Sequence, residues 1–323
     1  MNEENKFFGQ NSIAKYFKDN LGVLLGLVVI CVIMSIASPY FMKQSNLLNV
    51  LMQISTNTIA AFGMTFVILT GGIDLSVGSI QALTGMIVAV LISNMGFSAP
   101  VAVTVALMAG LLCGLFNGVV IAKTGMPEFI VTLAMMTIAR GLAYIVGDGK
   151  PTRVSDEAFN QMGAGFIGPI ALPIIYMFVI MGILWYILKR TKLGRHIYAV
   201  GGNREAARFS GISIQRTQIF VFTLSGFLAG FTGVVLAARM YTGQPAIGNG
   251  AELDAIAATV LGGTSMVGGA GTLGGTLIGA LVIGVIGNGL NLLNVSSFLQ
   301  MVVKGLVIVF AVYLDTLKKK RVM

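Results

Sequence analysis

Long apolar runs alternate with short polar breaks along most of the chain. They lie near 21–37, 47–70, 76–93, 98–122, 127–146, 172–188, 217–238, 253–267, 273–292 and 297–314. Most have the length an α-helix needs to cross about 30 Å of hydrocarbon. The runs are continuous, not alternating, which excludes an outer-membrane-type barrel. The pattern predicts an all-α polytopic membrane protein with about ten spans. Eight or nine spans fit if a short segment is re-entrant. The second and eighth spans are expected to be broken, at Gly71-Gly72 and Gly262-Gly263. The apolar core at 21–314 reads as one transmembrane unit. It is preceded by a polar segment at 1–20 and followed by a basic tail at 315–323. The first run is long and its polar lead is mixed in charge, so it reads as an uncleaved span rather than a signal peptide.

Composition agrees with a membrane protein. Only 10% of the 323 residues are charged, against about a quarter in soluble domains. The net charge of +9 has a plainer source than nucleic acid. The segment 189–216 holds Lys189, Arg190, Lys192, Arg195, Arg204, Arg208 and Arg216 against one acid, Glu205. The tail holds Lys318, Lys319, Lys320 and Arg321, whereas 147–170 is mixed in charge. The positive-inside rule then puts both termini and 189–216 in the cytoplasm and 147–170 outside. Cys31 and Cys113 lie inside predicted spans and read as buried thiols, not a disulfide.

Catalytic chemistry is poorly provided for. His196 is the only histidine, which excludes a multi-histidine metal site. There is no phosphate-binding P-loop; "GVVIAKT" (118–124) has alanine where the second glycine must stand. "GAGTLG" (269–274) follows no strand and lies between spans, so it is not a dinucleotide fingerprint. If transport is driven by ATP, another subunit must hold the nucleotide and its magnesium.

Glycine carries the packing signal. Gly110, Gly114 and Gly118 share one helix face, as do Gly226 with Gly230 and Gly275 with Gly279. Small residues at this spacing let membrane helices approach closely. "LTGGIDLSVGSIQALTG" (69–85) is also similar to "LGGTSMVGGAGTLGG" (261–275), aligning Gly71-Gly72 with Gly262-Gly263. Two structural repeats are common in transporters.

Charged groups within the spans are functional candidates because they are costly there. They are Asp74, Arg140, Asp254 and Lys304, with Ser76 beside Asp74 and with Glu128 and Arg239 nearer span ends. Two readings stand for each: a structural ion pair or cap, or a polar wall of a pathway between two protomers. For Asp74 the expected structural role, with Ser76 and Ser79, is to receive free amide groups at the start of the third span.

The basic loop has its own design. Gly201-Gly202 is expected to break one helix, Asn203 to cap the next, and Gly211 to stop it after about two turns. Glu205 falls in the first turn, where the helix dipole favours an acid. A short exposed helix fixed between two spans suits docking on a soluble partner.

The motif from Gly202 to Ile212, Gly-x-Asn-x-Glu-Ala-Ala-x-x-x-Gly-Ile, resembles the cytoplasmic coupling signature of ABC importer permeases. "GMTFVILTGGIDLSVGS" (63–79), "ELDAIAATVLGGTSMVGGAGT" (252–272) and "GNGLNLLNVSSFLQMVVKG" (287–305) are similar to permeases of the ribose-type sugar importers. The resemblance runs from about 40 to 314. It implies a permease of the second importer type in a bacterial inner membrane, working as two copies. It implies an ATP-binding subunit, often with tandem cassettes, and a periplasmic or lipid-anchored sugar-binding protein. It implies coupling contacts by Gly202, Asn203, Arg204, Glu205, Ala206, Ala207 and Gly211. From the residues alone, an ion-coupled secondary transporter and a passive channel remain open, although carboxylates in the spans are few.

Overall fold

The computed structural model describes residues 22–320. The segment 1–20 and Arg321 in the tail lie outside the described residues. A helix lies in each of the ten predicted segments: α1 (Gly22–Ala37), α2 (Gln44–Leu69), α3 (Val77–Ser93), α4 (Ala99–Thr124), α5 (Glu128–Val146), α7 (Leu172–Arg190), α10 (Ile214–Met240), α11 (Ala251–Leu261), α12 (Leu273–Leu292) and α13 (Ser297–Lys320). The last continues into the segment expected to be a tail. Between them stand α6 (Glu157–Ala164), α8 (Lys192–Gly202) and α9 (Arg204–Phe209). Among the described residues, six helices are long and apolar enough to cross a membrane: α2, α4, α5, α7, α10 and α12. Others, such as α3 and α11, are shorter.

The all-α expectation needs a small correction. Among the described residues, four two-residue strands form two antiparallel pairs, β1 (Thr152–Arg153) with β4 (Thr242–Gly243) and β2 (Phe166–Ile167) with β3 (Ile170–Ala171). They tie the 147–171 segment to itself and to the end of α10.

At the centre are α2, α3 and α10, whose buried residues run nearly all round. Helices α4, α5 and α7 lie outside them and expose one apolar side, as with Leu112, Phe116, Leu133 and Val179. Such exposed apolar faces suit hydrocarbon. The predicted glycine faces meet one another: Gly110 and Gly114 of α4 lie against Gly226 and Gly230 of α10. A Cβ on Gly110 would come within 2.8 Å of the Gly230 Cα, so the two backbones are in contact. On the other side, Gly275 and Gly279 of α12 lie against Gly262 and Ala258 at the end of α11.

The predicted break in the second span falls after it. α2 is continuous to Leu69, and 70–76 then turns back as non-helical backbone. Asp74 reaches Ser225, near the middle of the 27-residue α10, and only then does α3 begin. The eighth span ends earlier than the predicted 267, at Leu261, because Gly262-Gly263 stop it.

The two stops have one geometry. Gly71 N–H bonds to the Ile68 carbonyl and Gly72 N–H to the Val67 carbonyl; Gly263 and Thr264 repeat this with Val260 and Thr259. Both are Schellman ends, with the left-handed residue supplied by Gly71 (φ 81°) and Gly263 (φ 86°). The shared geometry pairs Gly71 with Gly263, one position off the sequence alignment.

A second non-helical stretch enters from the far end of α10. Gly243 lies against Gly85 and Ala89 of α3, and Gly248 against Gly78 and Gln81. α11 starts just beyond, so the first turns of α3 and α11 meet near the middle of the bundle. Backbone of this kind is tolerated at membrane depth only inside protein or beside water. Arg140 meets part of the need by donating to the carbonyls of Pro245 and Ile247, at 2.6 and 2.7 Å.

Candidate functional site: the capped loop helix and the buried polar centre

The short helix forms where the loop design places it. Asn203 Oδ1 accepts from the Ala206 N–H at 2.9 Å, capping α9. Ser210 ends it and Gly211, with φ 78°, reverses the chain. One detail differs: Gly201 and Gly202 are the last residues of α8, and the break is at Asn203, whose φ of −159° is extended. Gly202, Asn203, Arg204, Glu205, Ala206 and Gly211 are exposed, whereas Ala207 is buried and seats the helix. Phe209, which the sequence reading did not single out, is 88% exposed. An aromatic side chain held open on a capped helix is a natural anchor for a partner's groove. Its signal was in the sequence, as one of two aromatics, with Tyr198, in the basic segment 189–216.

Three sets of contacts fix α8 and α9 to the bundle, one from α9 and two from α8. Arg204 Nη2 pairs with Glu128 Oε1 at 2.6 Å, and Gln218 Nε2 donates to the same oxygen at 3.1 Å. These residues line a groove of about 590 Å³ that also takes in Arg208, Ile212 and the α4–α5 turn. Next, Gly201 lies against the Leu69 carbonyl and Gly269. Last, Tyr198 donates to the Gly271 carbonyl at 2.9 Å. Burial raises the Tyr198 phenol above its ordinary pKa, so it stays a neutral donor. The two glycine-rich loops are themselves joined, by Gly269 N–H to the Leu69 carbonyl at 2.9 Å. The α8–α9 junction therefore rests on the Schellman end of α2 and on the glycine-rich loop that follows α11.

The intramembrane candidates fall into separate groups. Asp74 and Ser76 are fully buried. Asp74 Oδ1 accepts from the Ser76 N–H at 3.0 Å and the Ser76 Oγ at 2.5 Å, and Oδ2 accepts from Ser225 Oγ at 2.7 Å. Asn117 Nδ2 donates to Ser76 Oγ at 3.0 Å. Asp74 thus receives one amide rather than capping α3; no side chain caps that helix, and Ser79 takes no part in the network. Its hydroxyl contacts instead stitch the 70–76 segment to α4 and α10. Lys304 Nζ pairs with Asp254 Oδ2 at 2.8 Å, linking α13 to α11. Arg140 serves the carbonyls described above. The candidate residues do not form one cluster. Cys31 and Cys113 are free thiols, partly rather than fully buried.

Residues 46–312 match the family described as the branched-chain amino acid transport system permease component. The chain is 46% identical over 297 residues to the ribose import permease protein of Haemophilus influenzae, covering 90% of this chain and 91% of that one. It is 47% identical to the ribose import permease protein of Bacillus subtilis, over 92% and 93%. It is 37% identical to the L-arabinose ABC transporter permease protein of Azospirillum brasilense, over 93% and 88%. No solved structure matches the chain.

Proposed function

The chain belongs to the branched-chain amino acid transport system permease component family, and we propose that within it the chain is the membrane subunit of an ATP-driven importer for ribose or a related monosaccharide. The observation that carries this reading is identity near 46% across nine-tenths of the chain to permeases named for ribose. The family is described by amino acids, but the relatives that share 37–47% identity with this chain are sugar permeases, so the sugar reading is preferred. The chain is not itself an enzyme; hydrolysis belongs to a separate ATP-binding subunit.

The partners follow from the same reading. Two copies of the chain line the pathway. ATP-binding domains, in tandem or separate, dock from the cytoplasm on α9 through Asn203, Glu205, Arg208 and Phe209. A periplasmic or lipid-anchored binding protein docks on the opposite face, near 147–171. Both termini are cytoplasmic, ten segments span the inner membrane, and α3 and α11 span it together with the non-helical stretches beside them.

Mechanism then follows from how α9 is held. Closure of the ATP-binding domains moves α9 as a rigid body. The Arg204–Glu128 pair carries that movement to α5, and Tyr198 with Gly201 carries it to the two glycine loops. Helices packed backbone to backbone slide as units, so the bundle has discrete states and opens on one face at a time. The binding protein supplies selectivity; the permease needs only weak contacts with its cargo.

Vesicles holding the assembled importer test this. Ribose uptake should require both ATP and the loaded binding protein. Uptake driven by an ion gradient without ATP would instead identify a secondary transporter.

A further inference from the structure

Where the first turns of α3 and α11 meet, a cavity of about 410 Å³ opens between α2, α3, α10 and the backbone before α11. Its lining sets the polar side chains of Gln81, Asn57 and Arg239 beside apolar Leu236, Met240 and Ile247. Gln81 is only 2% exposed, yet its side chain makes no hydrogen bond among the described residues. Asn57 and Arg239 are part-buried and also make none among the described residues. Gln53 and Asn249 stand at the rim, and Asp254 lies beside them, held by Lys304.

The Gln81 amide opens onto this cavity with Asn57 and Arg239, and their hydrogen-bonding groups, unmet by protein among the described residues, are free to pair with water or a solute that enters it. Polar groups near the middle of a spanning bundle do not face hydrocarbon. This open side therefore faces water or a second copy of the chain. Discontinuous helices that begin at mid-depth are also where transporters place cargo.

We infer that this cavity is a low-affinity binding site for a neutral polyhydroxyl solute, with Gln81, Asn57 and Arg239 as its hydrogen-bonding groups. The solute's identity as a sugar rests on the permease reading above. Each sugar hydroxyl is both donor and acceptor. A carboxamide matches that on both counts, and the guanidinium fork can donate to two neighbouring hydroxyl oxygens. The Asp254 charge is already met by Lys304, so it does not demand a cationic solute. Among the described residues no aromatic ring lines the cavity for a sugar to stack on, which keeps affinity low and release fast.

The test uses the full importer, with Cys31 and Cys113 changed to Ser and Asn57→Cys introduced. The rate of maleimide alkylation is measured with ribose, with ribonate as an anionic comparator, and without solute. The inference expects ribose to slow alkylation several-fold, and expects Gln81→Leu to remove that protection while Gln81→Asn keeps part of it. In the importer with native Asn57, Gln81→Leu should lower ribose uptake about tenfold while the binding protein still stimulates ATP hydrolysis. Protection by ribonate alone would overturn the neutral-solute assignment. No protection in an assembly that still imports ribose would overturn the site and leave the permease reading standing. Failure of the unsubstituted assembly to import ribose would overturn both.

Discussion

Asp74 accepts three hydrogen bonds in a site closed to solvent. Asn at this position keeps one acceptor oxygen, and the Ser225 hydroxyl can rotate to accept from the new amide. Leu removes every acceptor and strands Ser76 and Ser225, at about 1–3 kcal/mol for each unpaired group. Asp74→Asn should therefore assemble at a near-normal membrane level with a modestly lower melting temperature, and Asp74→Leu should fall well below it. Equal loss of transport in both variants at normal level would show that the charge itself acts in the pathway. The sequence marked Asp74 as an anomaly because a carboxylate stood among apolar runs. It could not name Ser225, which lies 151 residues away. It also passed over Gln81 and Asn57, since neutral amides in an apolar run carry no charge to draw attention. Phe209 is a second residue-scale case. Phe209→Ala removes no internal contact of note, so the chain should keep its melting temperature while losing copurification with the ATP-binding subunit.

At the scale of elements, hydropathy located helices well and depth poorly. The predicted 76–93 and 98–122 differ by at most two residues at either end from Val77–Ser93 and Ala99–Thr124. Hydropathy does not show that 70–76 and 244–250 are non-helical backbone folded into the bundle, because Ile73, Leu75 and Ile247 are as apolar there as in a helix. The glycine faces were legible as faces, but their pairing was not; α4 meets α10 across some hundred residues of chain. Gly114→Leu would drive a side chain into the Phe222 carbonyl and Gly226. It should abolish assembly, read as loss of membrane level on a gel; normal level with normal transport would refute the packing. Gly71→Ala is a finer probe of the Schellman end. It places an L side chain at φ 81°, at about 1–2 kcal/mol, and its Cβ would sit 3.0 Å from the Val267 carbonyl. A lower melting temperature is expected, with the bundle still formed.

Across the whole molecule, the proposed coupling helix lies at one end and the proposed cargo cavity at the centre, joined by the two glycine-rich loops. The α8–α9 junction touches both loops, and the cavity lies between the helices that adjoin those loops. The measurement that tests this most directly is paired: ATP hydrolysis and ribose uptake in the same vesicles, for the unsubstituted importer and for Gly211→Pro. Proline cannot adopt the φ of 78° at Gly211 and removes the N–H that bonds to Arg208. At a membrane level equal to the unsubstituted chain, the variant should hydrolyse ATP at its basal rate, lose stimulation by the loaded binding protein, and import no ribose. Stimulation and uptake both unchanged would contradict the account.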